Sequence, residues 1–134
     1  MNKLTLRFGK PENITPPGED YAVVYRFPFS AIDSKLIGSP EEARMAMTHR
    51  LVVKITPSRR AAWSLSESEL QKELFEIGLR VIEERAKTGN LSAEEQVVVN
   101  TSTHSSIVPF DPSRIAEPDG AIVVIEKENR RIGF

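Results

Sequence analysis

The run Leu65-Ser66-Glu67-Ser68-Glu69-Leu70 constrains this chain most, because it starts a helix by two separate devices. A serine followed three residues later by glutamate can satisfy free N–H groups of a helix start reciprocally, and Leu65 can staple onto Leu70 across the cap. Behind it Leu70, Leu74, Ile77, Val81 and Arg85 step along one face, while Phe75, Leu79 and Ile82 widen the apolar stripe. Lys72 with Glu76, Glu76 with Arg80 and Glu83 with Lys87 stand four apart on the other side, and Gly89 supplies a left-handed residue to end the helix. The spacing predicts an amphipathic helix over residues 67–88.

What flanks this helix sets the architecture. Residues 51–55 are almost continuously apolar, as in a central strand covered on both faces, and residues 96–99 read as a second strand. A strand, a helix and a strand are most simply arranged as two parallel strands with a right-handed crossover.

The remaining strands are read from period and punctuation. Leu4, Leu6 and Phe8 alternate with Lys3, Thr5 and Arg7, the two-residue period of a strand with one buried face. After a turn-rich stretch of Pro, Gly and Asn, residues 21–27 resume with β-branched and aromatic side chains. Pro28 has no N–H to give to a ladder, so pairing is expected to end or reach an edge there. Ser39-Pro40-Glu41-Glu42 predicts a short helix to about Met47, residues 121–126 a further strand, and residues 130–133 a short last one. The expected fold is α+β: a mixed sheet of about five to six strands, one long amphipathic helix on one face and one short helix, in a single domain over residues 1–134.

Composition narrows the functional classes. Of 134 residues, 40% are apolar and 28% charged, which suits an ordinary folded domain. The chain has no cysteine, which removes disulfides, thiolate metal sites and cysteine nucleophiles together and fits a cytoplasmic, reducing setting. The first ten residues lack the apolar core of a signal peptide, and no apolar run reaches the length of a membrane span, so neither secretion nor insertion is expected. A net charge of −1 argues against a general nucleic-acid binder. Residues 43–66 are nevertheless locally basic, and a nucleic-acid reading would need Arg44, Arg50, Arg59 and Arg60 to converge on one surface.

Parallel pairing of 51–55 with 96–99 would bring the segments after both strands to one edge, where open sheets tend to bind ligands. Ser58, Arg59 and Arg60 would meet Asn100, Thr101, Ser102, Thr103 and His104 there, beside the positive end of the long helix. Guanidiniums, hydroxyls and an imidazole suit a phosphate or carboxylate. Set against this, hydroxyl-rich loops are ordinary solvated connections, and Ser66 and Glu69 already occupy free donors of the helix start.

Catalytic and metal signals are sparse. Only His49 and His104 are available, with no metal-binding spacing and no glycine-rich phosphate loop, so neither a metal nor a cofactor is expected. His104 is the one candidate general base, with Ser102, Ser105 or Ser106 as nucleophile and Asp111 or Asp119 as orienter, yet no nucleophile-elbow motif supports the set. The strands at 51–55, 96–99 and 121–126 look apolar on both sides, while one long helix covers one. The short helix, the Pro-rich loops, closure towards a barrel or a second copy would have to cover the rest. The leading expectation is a non-catalytic binding or regulatory protein acting through protein–protein contacts as a homodimer. An enzyme or ligand-binding domain with the anion site, and nucleic-acid binding through a basic patch, are its rivals.

Overall fold

A computed structural model describes residues 3–18, 20–36, 38, 47–62, 65–100 and 117–126. In chain order these form β1 (Lys3–Phe8), β2 (Glu12–Asn13), β3 (Val23–Asp33), a 3-10 turn (Ser34–Leu36), β4 (His49–Ile55), α1 (Pro57–Ala62), α2 (Glu67–Lys87), β5 (Glu94–Val99) and β6 (Ile122–Glu126). The sheet order is β5-β4-β3-β1-β6, with β2 also paired to β3. The pairing of β4 with β5 is parallel, from Arg50 opposite Glu94 to Ile55 opposite Val99, and all other pairings are antiparallel. The expected α+β class, mixed sheet and strand-helix-strand unit are all present.

α2 forms where its caps say it should. Ser66 accepts a hydrogen bond from the Glu69 N–H at 3.2 Å, and the Glu69 carboxylate accepts from the Ser66 N–H at 3.2 Å, closing the reciprocal box. Gly89, at φ 74°, follows the last turn. The buried stripe runs Leu70, Leu74, Phe75, Gly78, Leu79, Ile82 and Ala86, so it centres on Gly78, and Ile77 and Val81 sit half-buried at its flank. Arg80 pairs with Glu76 at 3.5 Å as its spacing suggests, whereas Lys72 reaches out of the helix to Glu117 at 2.8 Å.

The core lies between α2 and one face of the sheet. Phe8, Phe27 and Phe29 from the sheet gather around Phe75 from the helix, which meets Phe8 edge-on with ring centroids 4.9 Å apart and Phe27 at 5.2 Å. Such contacts add roughly 0.5–1.5 kcal/mol per pair beyond the area they bury.

Pro28 does not end its strand. β3 continues through it to Asp33, in the middle of the sheet between β4 and β1. Two features permit this. Arg50 opposite Pro28 turns its N–H away, towards the Ala93 carbonyl, so the pair exchanges no ladder bonds with β4. On the other side Pro28 accepts from the Gly9 N–H at 2.9 Å, and the register then slips by one residue, from Phe8 opposite Phe29 to Glu12 opposite Arg26. β1 and β2 are thus one strand interrupted by a bulge, and the donor that proline lacks falls at the interruption.

The expected short helix falls on residues 40–46, which, like the expected last strand over 130–133, lie outside the described residues; Met47, where it was to end, is described and is not helical. A short helix is present elsewhere: α1 begins at Pro57, where a connecting loop was expected. The Thr56 carbonyl accepts from the Arg60 N–H at 3.0 Å, and Pro57 occupies the first helical position, where its missing N–H costs nothing. No helix among the described residues is long and apolar enough to cross a membrane.

Candidate functional site

The carboxyl ends of β4 and β5 do lie together. The Thr56 N–H donates to the Val99 carbonyl at 3.1 Å, so α1 and Asn100 leave the sheet side by side. Of the anion-site residues, Ser58, Arg59, Arg60 and Asn100 are therefore at one edge, while Thr101, Ser102, Thr103 and His104 lie outside the described residues. Arg59 is only 5% exposed, which directs its guanidinium inward and not towards a surface phosphate. The hydroxyls of Thr56 and Ser58 are 3.4 Å apart.

One group at this edge is not suggested by the sequence. Tyr25, at the start of β3, is buried beside Glu67 and Arg60. Burial raises its phenol pKa above the ordinary 10.0, the Glu67 carboxylate raises it further, and the Arg60 guanidinium partly offsets both. Tyr25 is thus held neutral at this end, as a phenol and not a phenolate. The antiparallel pairing of β3 with β4 is what brings it here, and a strand-period reading of residues 21–27 carries no hint of it.

Of the suggested catalytic set, Ser102, His104, Ser105, Ser106 and Asp111 lie outside the described residues, as does Arg44 of the basic patch. Asp119 sits in the turn before β6, at the opposite edge of the sheet from β5 and Asn100. Arg50 is the second residue of β4, and five residues at about 3.3 Å each separate it from Ile55, the end of the strand just before α1 begins at Pro57. It also projects from the face away from α2, since Leu51, Val53 and Ile55 alternate with it into the core. Arg50 therefore does not join Arg59 and Arg60 in one basic surface.

The face of the sheet away from α2 is better covered than its composition suggested. Val24, Val52 and Ile32 on that face are buried, as are Thr5 and Ser30, and Thr5 and Ser34 share a hydroxyl hydrogen bond of 2.8 Å. β5 is one-sided: Glu95, Val97 and Val99 are buried and Glu94, Gln96 and Val98 are exposed. Large apolar exposure is concentrated at β6, where Ile122 is 62% and Val124 59% exposed.

β6 is also an outer strand of the described sheet. The Phe8 N–H donates to the Ala121 carbonyl and the Gly120 N–H to Phe8, which aims the main-chain groups of Phe8, Leu6 and Leu4 at β6. By the same alternation Val123 and Ile125 return those bonds, and the main-chain groups of Ile122, Val124 and Glu126 point outward. The outward-pointing residues of β5, at the other edge, are Glu94, Gln96 and Val98. One edge presents mainly polar side chains with its outward backbone, and the other presents two β-branched apolar ones.

Comparisons with protein-family models, curated proteins and solved structures find no match to this chain.

Proposed function

We propose that this chain is a non-catalytic binding or regulatory protein that acts through protein–protein contacts as a homodimer joined along β6. The observation that carries the reading is the pair Ile122 and Val124, more than half exposed on an outer strand of the described sheet, with the backbone groups of those two residues facing away from it. An antiparallel pairing with a second copy, with the twofold axis at Val123, sets Ile122 opposite Val124 of the other copy and exchanges main-chain bonds at both pairs. Burial of each such side chain contributes about 1.5–3 kcal/mol, the same order as the freedom lost on association, so the expected dimer is weak and concentration-dependent. A cytoplasmic setting belongs to the same proposal and is supported by the cysteine-free sequence.

Sedimentation over a wide concentration range tests this. The expected result is a shift from one chain's mass to two, abolished by Ile122→Lys or Val124→Lys without change in circular dichroism. A single chain's mass at millimolar concentration, or a dimer indifferent to both substitutions, removes the proposal.

A further inference from the structure

Away from β6, the outer face carries an open cleft of about 230 Å³ lined by Ile14, Pro16, Tyr21, Val24, Val52, Lys54, Glu94 and Gln96. Its floor is apolar, formed by Val24 and Val52, and Ile14 and Pro16 of the segment after β2 make one wall. That segment is pinned in place: the Val24 N–H donates to Thr15 Oγ1 at 3.0 Å, the Ile14 N–H donates to the Val24 carbonyl at 2.9 Å, and Asn13 Oδ1 accepts from the Thr15 N–H at 3.0 Å. The wall is therefore built before any ligand arrives.

The charges of the cleft are set at its two ends. Lys54 stands between Val24 and Val98 on the neighbouring strands, its ammonium 5.2 Å from the centre of the Tyr21 ring. Among the described residues it makes no ion pair. An ammonium with an aromatic face on one side and apolar neighbours on others gains most from an anion. Glu94 lies opposite Arg50, four residues and so about 13 Å along the strand from Lys54. Its carboxylate accepts from Gln96 Nε2 at 3.3 Å.

We infer that this cleft binds a small monocarboxylate with an apolar body, the carboxylate at Lys54 and the body over Val24 and Val52. The size follows from the volume, since a cavity of about 150 Å³ accepts a benzene ring, leaving room here for a ring and a short acid chain. The charge pattern sets the head group: Lys54 selects a negative one, while Glu94 at the far end stands opposite Arg50, which offsets its charge. This site is independent of β6 and of self-association.

The test is an NMR titration of the unaltered protein with 3-phenylpropionate, with 3-phenylpropanol as its neutral counterpart, following the methyl signals of Ile14, Val24 and Val52. Saturable shifts with the monocarboxylate are expected, with affinity about tenfold lower for the alcohol, the effect of losing one hydrogen bond to a charged group. Lys54→Met should reproduce the loss while keeping the apolar stem, and Ile122→Lys should leave binding unchanged. No saturable shift at Val24 and Val52, equal binding of the alcohol, or full affinity in Lys54→Met overturns the inference. The comparison of ligands on the unaltered protein decides the matter even if the Lys54 variant fails to fold.

Discussion

Gly78 in α2 lies directly against Leu51 in β4: a β-carbon on the glycine would stand 2.7 Å from Leu51 Cδ2 and 2.8 Å from Val53 Cγ2. The helix can approach the parallel strands this closely only because its central residue has no side chain. Glycine in a helix interior costs about 1 kcal/mol relative to alanine, so its presence here is a trade of local propensity for tertiary contact.

Gly78→Ala is therefore expected to destabilise the protein in spite of its better helix propensity. Overpacking costs about 1–3 kcal/mol, against which the propensity gain is about 1 kcal/mol. Urea denaturation should show a net loss of about 1 kcal/mol, partly restored by adding Leu51→Val, which shortens the opposing side chain.

Ser66→Ala removes the cap that receives the Glu69 N–H. A loss of about 1 kcal/mol is expected, with Ser66→Asp close to the parent because aspartate accepts the same bond. Thermal melts of the three proteins under one buffer condition would check this; equal melting for alanine and serine would remove the cap from the account of α2.

Glu95 is a buried carboxylate on the helix side of β5, accepting from the Ser92 N–H at 2.9 Å with Arg85 Nε at 3.9 Å. It ties the turn after α2 to the strand that follows. Glu95→Ala should cost about 1–3 kcal/mol by leaving the Ser92 donor without its partner, and Glu95→Gln, which keeps an acceptor oxygen, should cost less. Amide exchange at Ser92, faster in the alanine variant, locates the effect.

His49 packs on the Phe29 ring, with centroids 5.1 Å apart, and burial lowers its pKa below the ordinary 6.5. The unfolded chain thus takes up a proton at this residue before the folded one does. Its contribution to stability is present above pH 6.5 and is lost as the pH falls through the lower folded value. Urea denaturation at pH 7.5, 6.0 and 5.0 should show the parent losing more stability on acidification than His49→Gln. An identical pH dependence in both would contradict the assignment.

Local signals carried α2 and the strands either side of it. The capping box, the apolar stripe and the terminal glycine act within one or two turns, so residues 65–89 hold most of the information needed to form that helix. Parallel pairing of β4 and β5 also followed, because a helix of this length between two strands leaves few other arrangements. Thr56-Pro57 carried a helix-start signal for α1 that the basic character of the following residues obscured.

Other features depend on neighbours that no local pattern names. Pro28 is accommodated in a central strand because Arg50 turns its bond elsewhere and the Gly9 bulge meets the missing donor, a match between three distant segments. Arg59 is buried, Tyr25 comes to Glu67 and Arg60, and Gly78 becomes the centre of the helix contact only once β3 and β4 lie beneath α2. The sequence by itself determined which segments become helix and strand, since those choices rest on capping and on side-chain period along a short stretch. The tertiary structure decided which side chains share a surface, because strand order and register place residues together that are far apart along the chain.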